Sequence, residues 1–229
     1  MEENIKQEVA YFMRRLYNKG LTTSLGGNIS CKIDNEKFVI TPGQTDKGRM
    51  KADELGIFGL NGNNYTPNIK LSMETKMHLF IYQKRPDIKA IVHAHPPFAS
   101  FFAVSDKKLN CKLLGEARAL LGKPEYSPYA LMGTEKLAEL VSESVVKSNL
   151  VILKNHGILT VGDTLITAIN RIEVAEMAAQ LTLLTNLHGN TTELTKDQLT
   201  EIDILMKHPR LNKDTQGNDY ISGLQTNIN

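Results

Sequence analysis

SMETKMHLFIYQKRPDIKAIVHAHPPF, residues 72–98, sets a helix and a strand next to each other with titratable side chains at their ends. Met73, Met77, Phe80 and Ile81 recur at helical spacing as far as Gln83, and Arg85-Pro86-Asp87 ends the pattern because the residue before a proline avoids the α region. Ser72 is placed to cap this helix, which puts Glu74 in its first turn near the positive end of the dipole. Residues 90–95, AIVHAH, read as a strand that stops just after His95, since Pro96-Pro97 cannot continue a ladder; Pro97 then opens a helix through Val104. Side chains two apart on a strand point the same way, so His93 and His95 face one point. Two neutral imidazoles so placed suit a divalent ion such as Zn2+, which takes three protein ligands in catalytic sites and leaves one position open. A pair of ordinary half-buried histidines is the plain alternative.

Working outward, a third histidine lies in Asn155-His156-Gly157, at a sharp turn between the apolar runs 150–153 and 158–161, where glycine relieves the backbone. His78 shares a helix face with Glu74 but sits among apolar neighbours, so it is read as structural; His188 and His208 are read as solvent residues near helix ends. Upstream, residues 5–16 form an amphipathic helix closed by Gly20, residues 28–33 and 37–41 form a hairpin, and residues 56–60 add a strand. Downstream, Gly133-Thr134 introduces a helix to about Lys147, Asp163 or Thr164 caps a long helix toward His188, and residues 195–206 are helical. The tail, 208–229, has few apolar residues and is expected to be mobile. The pattern predicts one α/β domain over residues 1–207, with a mixed, mostly antiparallel central sheet covered by helices. Long βα alternation is lacking, which disfavours a doubly wound nucleotide fold.

The 229 residues are 41% hydrophobic and 23% charged with a net charge of +2, the composition of a globular protein with a sizeable core. Lysines and arginines alternate with acids, so no nucleic-acid footprint is expected. No apolar run approaches a membrane span and the N-terminus lacks a secretory pattern, which gives no membrane association and a cytoplasmic location as the expectation. Cys31 and Cys111 form neither a CxxC nor a CxxH pair and read as separate reduced thiols. The Gly26-Gly27-Asn28 and Thr41-Pro42-Gly43 stretches offer backbone N–H groups as candidate anion nests, but neither matches a nucleotide-binding loop.

Taken together, GGNIS at 26–30, ITPGQ at 40–44, the 72–95 stretch, SPYALMGTEKLA at 127–138 and LKNHGILTVGDTLITAINRIEVAEMAA at 153–179 resemble, in order and spacing, the class II aldolase/adducin family. The resemblance implies a homotetramer with active sites at subunit interfaces. It implies one Zn2+ per chain held by His93, His95 and His156, with Glu74 at or beside the metal; such ligands also accept Mn2+, Co2+ or Fe2+. It further implies retro-aldol cleavage of a small sugar phosphate of the L-fuculose 1-phosphate kind, in which Glu74 shuttles a proton to and from an enediolate carbon. The phosphate would be held by Gly27, Asn28, Thr41, Gly43, Ser72 and Met73.

Three departures from the family pattern are visible. Gly43-Gln44 replaces the usual hydroxyl residue and glycine after the proline, and Met73 replaces the first residue before the glutamate, normally serine. Each lost hydroxyl removes a hydrogen bond worth about 1.5–3 kcal/mol to a charged group. No tyrosine occurs near 114–116, where the family's aldolases place an acid across the interface; Glu116 is the candidate there, against the plain reading of a surface carboxylate. The nearest rival is an L-ribulose-5-phosphate 4-epimerase-like isomerase, whose members tend to carry Asp in place of Glu74. Family dehydratase and decarboxylase activities are further alternatives. A non-catalytic adducin-like interaction module would require lost metal ligands, and here all four are present.

Overall fold

A computed structural model describes residues 2–207; the tail expected to be mobile, and His208 with it, lies outside the described residues. The elements in chain order are α1 (Glu2–Asn18), β1 (Asn28–Lys32), β2 (Lys37–Ile40), β3 (Gly56–Gly59), α2 (Thr75–Lys84), β4 (Ala90–Ala94), α3 (Pro97–Phe101), α4 (Gly115–Leu121), β5 (Glu125–Ser127), α5 (Glu135–Lys147), β6 (Leu150–Leu153), β7 (Gly157–Gly162), α6 (Leu165–His188) and α7 (Lys196–Lys207). The strands form one seven-stranded sheet in the order β3-β2-β1-β4-β7-β6-β5. Every pairing is antiparallel except β5 with β6, which α5 connects as a parallel crossover. This is the mixed, mostly antiparallel sheet that the sequence pattern predicts.

Alternation along the strands divides the core in two. Ile91, Val151, Leu153, Leu159 and Val161 face α2 and α5, while Ala90, Val92, Leu150, Ile152 and Ile158 face the layer of α1, α3, α4 and α6. The central strand β4 is buried along its whole length. Each fully buried aliphatic side chain there contributes about 1.5–3 kcal/mol, and the strand carries His93 into that environment.

Several expectations are refined. α2 begins at Thr75 rather than Ser72, because Ser72 forms a turn instead: its hydroxyl accepts the Glu74 amide at 3.3 Å and its carbonyl accepts the Thr75 hydroxyl at 2.7 Å. Met73 is consequently outside the helix and 69% exposed, not on its buried face. Thr164, not Asp163, caps α6 by accepting the Thr167 amide. α3 ends at Phe101, short of Val104. α4 and β5 have no counterpart in the sequence reading: they are seven and three residues long, too short for a periodic signal. The Arg118 guanidinium grips the Asp203 carboxylate with two hydrogen bonds, joining α4 to α7.

Candidate metal and proton-transfer site

His93 sits at the end of β4 in the middle of the sheet and is fully buried. Its Nδ1–H donates to the Ile158 carbonyl of β7 at 2.9 Å, which leaves Nε2 unprotonated and aimed at the site. His95 lies one residue past the strand, yet its Nε2 comes within 3.1 Å of His93 Nε2. The predicted convergence of the pair is therefore present. α3 fixes the following backbone: the Glu176 carboxylate, from α6, accepts the Phe98 and Ala99 amides at 3.0 and 2.7 Å.

His156 reaches the same point from the β6–β7 turn, its side chain only 8% exposed rather than facing solvent. The residue that turns the backbone is Asn155, at φ +54°, and not Gly157. Gly157 is needed for space: a Cβ there would lie 2.5 Å from His95 Cδ2 and 2.7 Å from the Ala94 carbonyl. Opposite, Gly27 at φ +68° lets the 26–28 loop pass so close to β4 that a Cβ would lie 2.8 Å from the His93 carbonyl.

Glu74 completes the cluster, as the residue just before α2. Its Oε2 lies 3.4 Å from His93 Nε2 and its Oε1 3.4 Å from His156 Nε2. Burial pushes all three imidazoles down to about 4, so they are neutral near neutral pH and present lone pairs. One ligand atom from each of the three histidines falls within 4.8 Å of the others, a group able to hold a metal ion. Glu74 Oε1 and His156 Nδ1 are buried without a hydrogen-bond partner. Three converging imidazoles with an orphaned carboxylate oxygen beside them are a donor set that suits a divalent cation, and the residues fit that group.

The cluster opens into a cavity of about 310 Å³, lined among others by Gly27, Asn28, Gly43, Gln44, Lys47, Lys70, Ser72, Met73, Glu74, His95 and His156. Five of the six residues that the family resemblance places around a phosphate thus reach it. Thr41 does not: it is fully buried, and its hydroxyl accepts the Ile29 amide at 3.1 Å, tying β2 to β1. The Gly43 amide is spent on the Lys70 carbonyl at 3.0 Å. Glu116 is exposed on α4, among α6 and α7, and does not line the cavity. Lys47 and Lys70 were not singled out in the sequence, where they sit in ordinary charged runs. Lys47 is nearly fully buried, donates to the Pro42 carbonyl at 2.6 Å and is held down to about 8 by burial; Lys70 donates to Gln44 Oε1 at 2.6 Å. The two cysteines stay unpaired, and burial pushes the Cys31 thiol up to about 11, consistent with inert thiols.

A mixed sheet that delivers three histidines and a buried carboxylate to one cavity defines an α/β fold with a candidate metal site. Residues 7–183 match the family described as Class II Aldolase and Adducin N-terminal domain. The L-fuculose phosphate aldolase of Methanocaldococcus jannaschii is 35% identical over 179 residues, which cover 78% of this chain and 96% of that protein. The 3-oxo-tetronate 4-phosphate decarboxylase of Haemophilus influenzae is 28% identical, over 77% of this chain and 85% of that protein. A solved L-fuculose 1-phosphate aldolase superposes with a TM-score of 0.81 at 30% identity, covering 90% of this chain and 96% of that one. The chain belongs to the class II aldolase and adducin family, and it is a class II aldolase-type enzyme. Among the described residues no helix is long and apolar enough to cross a membrane.

Proposed function

We propose that this enzyme cleaves a small ketose phosphate reversibly by retro-aldol chemistry, with a divalent metal, Zn2+ by the chemistry of its donors, held by His93, His95, His156 and Glu74. The observation that carries this reading is the position of Glu74, whose two oxygens each lie 3.4 Å from an Nε2 of the histidine cluster while Oε1 has no hydrogen-bond partner. When bound, the metal supplies Lewis-acid polarisation of a substrate carbonyl and its neighbouring hydroxyl. The histidines hold their unprotonated nitrogens toward it without having to lose protons first. Glu74 takes and returns the proton at the carbon next to that carbonyl, the task of a general base placed within reach of the reacting atom. Gly27 and Ser72, with the cations of Lys47 and Lys70, receive the anionic end of the substrate, in place of the hydroxyl donors absent at Gly43 and Met73.

Lys47 and Lys70 also favour a second reading, decarboxylation of a phosphorylated oxo acid, because a cation suits a carboxylate as well as a phosphate. Exposed Met73, Tyr129, Leu131 and Met132 support assembly of copies of the chain, with a homotetramer as the expected state by light scattering. The deciding experiment is an assay of the metal-loaded protein against ketose 1-phosphates, their unphosphorylated counterparts and phosphorylated oxo acids. Release of dihydroxyacetone phosphate from the ketose phosphates alone is the expected result. Carbon dioxide release from the oxo acids would replace the aldolase reading with the decarboxylase one.

A further inference from the structure

Behind Glu74 a line of buried polar side chains runs between the sheet and α2. Asn28 and Ser30, two apart on β1, share the face that α2 covers, and Asn28 pairs in register with His93. From α2, His78 and Tyr82 come down onto that face one helical turn apart. Asn28 Nδ2 lies 2.8 Å from Glu74 Oε2, Asn28 Oδ1 lies 2.6 Å from His78 Nε2, His78 Nδ1 lies 2.7 Å from Ser30 Oγ, and Ser30 Oγ lies 2.9 Å from the Tyr82 hydroxyl. Asn28 is 3% exposed, His78 and Ser30 are fully buried, and Tyr82 is 1% exposed.

The directions of the bonds from Glu74 to Ser30 follow from which groups can donate. An ionised carboxylate only accepts, so the Asn28 amide must turn its NH2 toward Glu74; its second hydrogen reaches Ser72 Oγ at 3.2 Å. The Asn28 carbonyl therefore faces His78 and only accepts, which places the ring proton on Nε2. Nδ1 is then an acceptor and takes the single hydroxyl hydrogen of Ser30. Ser30 in turn must accept from Tyr82. The Tyr82 hydroxyl also reaches the Lys89 carbonyl, at the longer distance of 3.3 Å.

We propose that His78 is a positioning residue: fixed in its Nε2-protonated tautomer by Ser30 and Tyr82, it locks the Asn28 amide so that its NH2 group holds the Glu74 carboxylate toward the three histidines. This rests on the reading of Glu74 as the proton-transfer group. It also gives Asn28 a task other than phosphate binding, since both its N–H bonds are committed within the protein. Without the ring donor the Asn28 carbonyl is left buried and unpartnered, and the amide is free to tilt, which loosens its hold on Glu74. Displacements of about 1 Å at a reacting group cost on the order of 10²-fold in rate.

The test uses His78→Phe, His78→Gln and Tyr82→Phe in the metal-loaded protein, beside Glu74→Gln. His78→Phe is expected to lower kcat about 10²-fold with KM changed less than about 3-fold, and with metal content unchanged. His78→Gln, whose amide nitrogen reaches as far as Nε2, is expected to recover part of kcat. Tyr82→Phe removes one hydroxyl from the far end of the line and keeps the ring, so it folds even where His78→Phe does not; a several-fold fall in kcat is expected. Independently of turnover, long-range 1H–15N spectra of the imidazoles should show His78 as a single Nε2–H tautomer. A lowered melting temperature with undiminished kcat in both His78→Phe and Tyr82→Phe, or an Nδ1–H tautomer at His78, would overturn the proposal. Full activity in Glu74→Gln would instead remove the reading of Glu74 itself, while the tautomer result would stand by its own measurement.

Discussion

A buried imidazole can serve as a ligand only if one nitrogen is kept free of its proton, and at His93 a single backbone carbonyl does this. Because Nδ1–H is spent on Ile158, the other nitrogen faces the cavity in the form a metal accepts. His95 and His156 supply the remaining nitrogens from just beyond a strand and from a turn. His95→Ala should therefore give a folded protein whose metal content, read by atomic emission, drops from one per chain to near zero; unchanged metal would refute the site. Glu74 plays a different part from the imidazoles, since one of its oxygens is held by Asn28 and the other is left unpartnered. In Glu74→Gln the metal should remain while kcat falls by about 10²–10⁴, the span expected for loss of a positioned general base.

At the scale of elements, the β6–β7 hairpin shows how tightly the site is built. Its turn places Asn155 in the left-handed region and brings Gly157 edge-on against His95, within what would be 2.5 Å of a side chain. Gly157→Ala must push either the hairpin or the His95 ring aside. The expected cost is about 1–3 kcal/mol of stability, the range for overpacking a close-fitted site. A weaker metal affinity should accompany it, measured by competition with a chelator. A variant with native stability and affinity would show that the hairpin gives way more easily than its packing implies. The start of α3 is held from the other side of the cluster by Glu176, whose carboxylate burial pushes up and whose two backbone partners pull back down. The hairpin and α6 thus hold His95 and the segment that follows it from two distant stretches of chain.

For the whole molecule, burying four neutral histidines makes the metal-free protein sensitive to acid. His93, His95 and His156 are held down to about 4 and His78 to about 3, against about 6.5 in an unfolded chain. Between those values the unfolded chain binds protons that the folded protein refuses, so stability falls as pH drops from about 6.5 toward 4. Each histidine contributes a slope of up to about 1.4 kcal/mol per pH unit there. Urea midpoints of the metal-free protein at pH 7.5, 6 and 5 should decline steadily through that window; a flat series would show that the cluster titrates normally. Added Zn2+ should raise the midpoint at pH 7.5 by mass action and much less in His95→Ala.

Periodicity along the chain determined the main helices and the strand carrying His93, because each of these buries a face whose spacing is written locally. The candidate ligand residues were legible for the same reason: His93 and His95 stand two apart in sequence at the end of a strand, and His156 and Glu74 fall in motifs of recognisable order. What the chain could not reveal is everything that depends on which strands become neighbours. Thr41 offers a hydroxyl in the sequence, yet pairing of β1 with β2 turns it inward, and Gly43 loses its amide to Lys70 across a contact between separate loops. Lys47 reads as one more surface cation until the loop around Pro42 folds over it. His78 was legible as an inward-facing residue, but its partners Asn28 and Ser30 lie 50 and 48 positions earlier. Local spacing determined which side chains share a face. Only the tertiary structure decided which polar atoms meet across the sheet, because hydrogen-bond partners are chosen by position to within tenths of an ångström rather than by pattern.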